Sequence, residues 1–478
     1  MQREDRGEPV PSAGVRESLG PGGRWARRLS AVIFYALLLL LPLSAAPYAS
    51  VEPWWGAFFN AAVLLLAALW ALEGAFRGRW FSPAQVLAVA PLMLAALALL
   101  QSAPLPGFGT ISFDPYESRL TAARLAAFAA YAALLIRYTD TERRLRALVL
   151  TLIAVGAASA LFGIARQAAQ REELGFLLPL LRRGAGYAQF INRNSFAFLA
   201  EMAFGLAAGV AAGGGTSRDR SLAYVAAALP LWASLVLANS RGGLFSMLCQ
   251  VIFLAAVFFM VRPGRGPREG PRGGSPARLR FLRSGAARFA AAALAFCVVA
   301  VGAVWLGGDP VADRVESVRG EAGAGQGDPA RVSRADIWRD TWRLASDYPL
   351  TGAGVGGYAV AIRGYHRASG VMAPQQAHND YLELAASGGV VGLALLALFV
   401  ALLVRGVRSR LRSGTPFARA AALGALTGII GVAAHSAVDF GLHVTGNALF
   451  FAALLAVATA ETRPSPEAVA QKTNLANY

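Results

Sequence analysis

Lysine is almost missing from this chain of 478 residues. Lys472 is the only one, against 44 arginines. Histidine is scarce too, with four, and cysteine is limited to Cys249 and Cys297. Charged residues make up only 15% of the chain, and just 28 of them are acids. Each shortage excludes something. Two cysteines in separate apolar runs read as small core residues, not as a disulfide framework or a metal site. No Asp-x-Asp motif occurs, which argues against metal-dependent handling of a sugar nucleotide. With 56% hydrophobic residues, the low charge also argues against a soluble domain, because runs of about 20 apolar residues read as membrane helices. A net charge of +17 would suggest nucleic acid in a soluble protein. Here the basic residues collect in short loops between apolar runs, so membrane topology accounts for most of the excess.

Apolar runs occupy roughly 29–46, 56–73, 84–101, 121–137, 145–165, 194–212, 221–239, 243–262, 286–307, 382–404, 417–435 and 444–460. The expected fold is therefore an all-α polytopic bundle of about twelve transmembrane helices, since a helix satisfies its own backbone in lipid. The first run is long and leads through Pro42, Pro47 and Pro53 into further runs, so it reads as a membrane helix, not a cleavable signal. Arginine is placed asymmetrically. Arg24, Arg27 and Arg28 precede the first span. Alternate loops then carry Arg77 and Arg79; Arg137, Arg143, Arg144 and Arg146; and Arg218 and Arg220. Eight arginines follow between Arg262 and Arg288, then Arg405, Arg408, Arg410, Arg412 and Arg419. With twelve spans these all fall on one face, which positive-inside makes cytoplasmic together with both termini. The chain divides into a cytoplasmic tail (1–28), helices one to nine (29–307), an outer loop (308–381), helices ten to twelve (382–460) and a cytoplasmic tail (461–478).

The opposite face should have few arginines, and two of its loops, 47–55 and 102–118, have none. The segment 166–193 departs from this, with Arg166, Arg171, Arg182, Arg183 and Arg193 against Glu172 and Glu173. Within it, the apolar run Leu174–Leu181 is too short to span and reads as re-entrant or interfacial. Arg241 lies in a tight turn, Asn239-Ser240-Arg241-Gly242-Gly243. The loop 308–378 carries eight arginines and eight acids, and connections of that length are usually functional or disordered. Its residues 333–348 place Ile337, Trp338, Thr341, Leu344 and Ala345 at helical spacing, which predicts an amphipathic helix on the membrane surface or against the bundle.

Three outward constellations carry chemistry. Asn192-Arg193-Asn194 opens a span, with Arg182 and Arg183 about ten residues before it. These arginines either snorkel at a helix end or form a guanidinium cluster whose planar forks match phosphate oxygens. Arg241 either reaches for lipid headgroups or meets an anion at the following helix N-terminus, where Gly242 and Gly243 permit close approach. His378, in His378-Asn379-Asp380-Tyr381-Leu382-Glu383, is either a polar cap or the side chain suited to take a proton near neutral pH. His435, Asp439 and His443 recur at four-residue intervals on the same face. That pattern raises a metal face, but it runs across a helix break, which favours a supporting polar network instead.

These segments, in this order, resemble the O-antigen ligase superfamily. Gln189-Phe190-Ile191-Asn192-Arg193-Asn194, with the apolar run that follows, is similar to the family's Asn-x-Asn helix start. Ser240-Arg241-Gly242-Gly243 is similar to its Ser-Arg-Gly turn, and Pro349-Leu350-Thr351-Gly352-Ala353-Gly354 to its Pro-x-x-Gly-x-Gly segment. Ala377-His378-Asn379-Asp380-Tyr381-Leu382-Glu383-Leu384 is similar to its His-Asn-x-x-Leu-Glu motif, and His435 to His443 to a tail found in one subgroup. The resemblance covers roughly 150–460. It departs from the family at Ser387, before Gly388-Gly389, where an acid is frequent.

The resemblance implies a GT-C type glycosyltransferase of the bacterial inner membrane. Such an enzyme takes a glycan from a polyprenyl (undecaprenyl) diphosphate carrier on the periplasmic side and needs no cofactor. A ligase delivers it to lipid A-core, and a polymerase delivers it to another repeat unit. Arg193 and Arg241 are then assigned to the diphosphate, with Arg183 and Asn194 beside them. His378 is assigned to the acceptor hydroxyl, and Asn379, Asp380, His435 and Asp439 to supporting positions. The transfer would be a single inverting displacement without a metal, since positioned arginines can supply the charge stabilisation a metal ion otherwise provides. Arg343 and Gly354, with ten residues between them, fit a polymerase-associated pattern, but glycine is frequent in this chain. Transport of an anionic solute is the competing class. It would place charged groups near the bilayer midplane, whereas here they gather at span ends.

Overall fold

The computed structural model describes residues 21–78, 80–104, 106–107, 109–169, 186–260, 334–366 and 374–462. The expected span 286–307, the run 174–181, Arg171, Arg182, Arg183 and Cys297 lie outside the described residues.

The protein is an all-α polytopic membrane bundle, and no β-strand occurs among the described residues. Its helices are α1 (Pro21–Ala45), α2 (Pro53–Arg77), α3 (Val89–Ser102, preceded by a 3-10 turn from Pro83), α4 (Pro115–Tyr138), α5 (Glu142–Ala169), α6 (Arg193–Ala212), α7 (Arg218–Leu237) and α8 (Arg241–Met260). They continue with α9 (Arg334–Asp347), α10 (Asp380–Ser413), α11 (Pro416–His435) and α12 (Thr445–Thr459). Ten of these are long and apolar enough to cross a bilayer, and α12 is a shorter apolar helix. All eleven coincide with apolar runs read from the sequence. Local chemistry sets their ends. Asp114 caps α4 through the Glu117 amide at 3.0 Å, with Pro115 in the first turn, and Thr415 does the same for α11 before Pro416. Gly78, at φ +65°, closes α2 in the left-handed region.

α6 is the buried axis of the bundle, with almost every residue from Ser195 to Val210 out of contact with solvent or lipid. It runs antiparallel to α11 along a seam of small residues in which Gly205 faces Gly428, Gly209 faces Gly424, and Gly213 faces Ala420. A Cβ on Gly209 would lie 2.3 Å from the Gly424 Cα, so the backbones touch. Close approach of this kind drives helix association in lipid, where burying apolar surface contributes little. Leu64, Leu65, Leu99 and Leu100 are exposed on the outside of the bundle, as lipid-facing residues should be.

The sequence predicts one uninterrupted helix over 382–404. Instead α10 is broken at Gly389 (φ +59°, ψ −156°), a conformation essentially reserved for glycine. The segment 349–354 docks into the break. The amides of Ala353 and Gly354 donate to the carbonyls of Ala386 and Ser387 at 2.8 and 3.0 Å, and the Val390 amide donates to Pro349 O at 2.8 Å. Gln101, fully buried at the end of α3, locks this junction. Its amide donates to Thr351 O at 2.6 Å and its carbonyl accepts from the Val355 amide at 2.9 Å. Ser387 thus contributes its backbone carbonyl to the junction. Gly354 is needed at φ +103°, against Ser112, which explains it by packing alone.

The amphipathic helix forms as α9 and lies against the bundle. Trp338 Nε1 donates to Ala377 O at 3.0 Å, and Thr341 shares a 2.7 Å hydrogen bond with Tyr358.

Candidate functional site

Three helices, α6, α8 and α10, begin at one end of the bundle, and each has a side-chain cap. Asn192 Oδ1 accepts from the Asn194 amide at 2.8 Å, Ser240 Oγ from the Gly243 amide at 3.2 Å, and Asn379 Oδ1 from the Tyr381 and Leu382 amides at 3.1 and 3.0 Å. Asn379, expected as a support for the site, therefore acts as a helix cap. The first residues of α6 and α8 are Arg193 and Arg241, both half-buried. A helix N-terminus carries partial positive charge, so a guanidinium placed there adds to a field that attracts anions.

The turn between α11 and α12, residues 435–444, is the hub where these ends meet. Asn194 Nδ2 donates to Asp439 Oδ2 at 2.5 Å. Gly242 packs directly on the His435 ring and on Val438. The Asp380 amide donates to Ser436 O at 2.8 Å. From α9, Arg334 donates to Val438 O at 2.9 Å and to Asp439 Oδ2 at 3.3 Å. The arginine-bearing ends of α6 and α8, the histidine-bearing start of α10 and the outer helix α9 thus all contact one ten-residue turn.

Asp439 is 3% exposed and sits at the centre of this hub. Burial alone would raise its pKa, but His378, Arg334 and the Phe440 amide together hold its carboxyl below the usual carboxylate range. His378 Nδ1 lies 3.4 Å from Asp439 Oδ1, within ion-pair distance though outside hydrogen-bond geometry. The imidazole is 31% exposed and meets the Phe440 ring edge-on at 4.8 Å. His378 also holds φ at +51°, an uncommon value for a residue with a Cβ. Its position therefore depends on the surrounding contacts, not on local preference.

The three residues at four-residue spacing do not converge. Each turns to a different partner. His435 Nδ1 lies 2.9 Å from Glu201 Oε2 in the bundle interior. Asp439 faces Asn194, Arg334 and His378. His443 Nε2 lies 3.4 Å from Asp380 Oδ1 and 3.8 Å from Glu383 Oε1. The His443 side chain is 43% exposed. Burial lowers its pKa, but the carboxylates of Glu383 and Asp380 outweigh that and raise it to about 9. The helix break after His435 explains the divergence, since a periodicity of four holds only inside one helix.

Sequence reasoning gave no role to Glu201, Ser246, Gln250, Arg334 or Glu383. Glu201 had a readable signal as the one acid within the apolar run of α6, because an ionisable side chain inside a span is costly and usually functional. Arg334 had none. It is one of several arginines in a loop balanced by acids.

Compared with known families, residues 226–397 match the family model described as O-antigen ligase. No curated protein matches the chain. The matched stretch contains Arg241, Arg334, His378 and Asp380. Arg193, Glu201, His435 and Asp439 lie outside it and join the same site only through the fold.

Proposed function

We propose that this multi-pass membrane protein, which carries an O-antigen ligase family domain, transfers a glycan from a polyprenyl diphosphate carrier to an acceptor hydroxyl of lipid A-core. The reaction takes place on the periplasmic face of the inner membrane, with both termini in the cytoplasm. One observation carries this reading: two arginine-led helix N-termini and a histidine facing a buried carboxylate converge on the same turn.

In this reading the carrier's diphosphate lies between Arg241 and Arg193. As the sugar C1–O bond breaks, its electron pair passes to the diphosphate oxygen. Guanidinium groups and helix N-termini already in place stabilise that charge without reorganising, as a divalent cation would elsewhere. Asp439 orients His378 through Nδ1, leaving Nε2 to accept the proton of the attacking hydroxyl. Attack opposite the leaving diphosphate inverts the anomeric centre. Asn194 supports the same end by holding Asp439, and α9, tied to the hub through Arg334, flanks the route of the acceptor.

A repeat-unit polymerase would use the same donor chemistry, and glycolipid gels of a deletion strain separate the two. Loss of a ligase leaves lipid A-core with no attached glycan, whereas loss of a polymerase leaves a core bearing one repeat unit. Complementation with Arg241→Ala or His378→Ala should fail to restore glycan at normal protein level. Full restoration by either variant removes that residue from its role.

A further inference from the structure

Glu201 and His435 are completely buried, and nothing in the proposed transfer uses them. They belong to a polar stripe that reaches α8 from the α6–α11 pair. Gly242, Ser246 and Gln250 follow one another at four-residue intervals and so share one face of α8. Gly242 lies under the His435 ring, where a Cβ would come 2.3 Å from Nε2. Ser246 Oγ hydrogen-bonds Glu201 Oε2, the oxygen that faces His435 Nδ1. Gln250 Nε2 donates to Glu201 O at 2.8 Å and to Thr427 O at 3.2 Å, in space left by Gly205 and Gly431. The His435 ring also stacks on Phe198, with centroids 4.0 Å apart and planes 15° apart.

We infer that Glu201 and His435 are positioning residues that set the height and rotation of α8, and through it the location of Arg241. The inference rests on the diphosphate reading of Arg241. Apolar contacts alone let one membrane helix slide and turn against another, because lipid tails compete equally for its surface. Directional hydrogen bonds at Ser246 and Gln250 remove that freedom. The His435 ring, fixed by Glu201 on its edge and Phe198 on its face, then acts as the seat on which the first turn of α8 rests. Arg241 immediately precedes the glycine on that seat. Neither residue touches substrate. A shift of about 1 Å in a group that stabilises a transition state can cost on the order of a hundredfold in rate, so the seat matters to the reaction even though it lies outside it.

The test uses full-length protein reconstituted in liposomes, with a polyprenyl diphosphate-linked glycan as donor and initial rates measured against each substrate. Gly242→Ala pushes α8 off the ring. It should lower kcat/KM for the donor about ten- to a hundredfold while leaving the acceptor KM unchanged. His435→Ala added to Gly242→Ala makes room for the new methyl group and should recover most of that loss. Glu201→Leu, which suits an apolar helix and removes both side-chain hydrogen bonds, should lower donor kcat/KM in the same way, again with the acceptor KM unchanged. Donor kinetics at the wild-type level in Gly242→Ala or Glu201→Leu would overturn the inference. So would a raised acceptor KM, or no recovery in the double variant. Arg241→Ala separates the two claims. If it is active, the diphosphate reading falls. If it is inactive while Gly242→Ala and Glu201→Leu behave as wild type, only the positioning role falls.

Discussion

Asn194 and Asp439 are 245 residues apart in sequence and 2.5 Å apart in space. Their hydrogen bond ties the start of α6 to the turn after α11, and so brings the arginine that opens α6 to the carboxylate that faces His378. Both residues lie outside the matched family segment, one on each side of it. Through it, two motifs far apart in the chain, those of Arg193 and His378, meet at one turn.

Asp439→Asn should lower glycan transfer by at least about tenfold with little change in folded protein. An amide keeps the shape but loses the charge that faces His378 and Arg334. Transfer rates in reconstituted membranes, normalised to protein recovered, test this. An unchanged rate would separate Asp439 from the chemistry.

His443 gives the fold a pH dependence of definite sign. Its folded pKa, about 9, lies above the ordinary value of 6.5, because Glu383 and Asp380 favour the charged ring. The stabilisation is therefore full below about pH 6.5 and is lost as pH rises through about 9. The melting temperature of the solubilised protein should fall between pH 6.5 and 9.5, and His443→Gln should flatten that fall. Parallel curves for the two proteins would refute the assignment.

Gly209→Ala tests the seam between α6 and α11. Its methyl group would meet the Gly424 backbone at 2.3 Å, so the helices must separate. Overpacking of this kind typically costs about 1–3 kcal/mol. The expected outcome is a lower melting temperature, to be measured by thermal unfolding in detergent, and Gly424→Ala should behave alike.

Gln101→Leu would leave the Val355 amide and the Thr351 carbonyl without their partner at the break in α10. An unsatisfied buried backbone group costs about 1–3 kcal/mol. Hydrogen exchange should quicken at residues 349–355 and around Gly389 before it quickens elsewhere in the bundle. Uniform exchange across the bundle would mean that Gln101 does not lock the junction.

Much of this was legible in the chain. Eleven apolar runs became helices, and the spacing of Ile337, Thr341 and Leu344 became α9, because length, apolarity and period are local properties. Arg241, Arg193 and His378 stood out because arginine in loops expected on the outer face and histidine at a span end are departures from local expectation. The break at Gly389 was missed, since Gly388-Gly389 inside an apolar run reads equally well as continuous helix.

Composition and spacing by themselves determined that this protein crosses a membrane many times and where its unusual cations lie along the chain. Partner choice was decided only by tertiary structure. His435 takes Glu201, Asp439 takes Asn194 and Arg334, and His443 takes Asp380 and Glu383. The physical reason is that a buried polar group needs a partner within about 3 Å. Here most of those partners come from other helices, as much as 245 residues away, brought close by a seam of glycines whose packing no local pattern encodes.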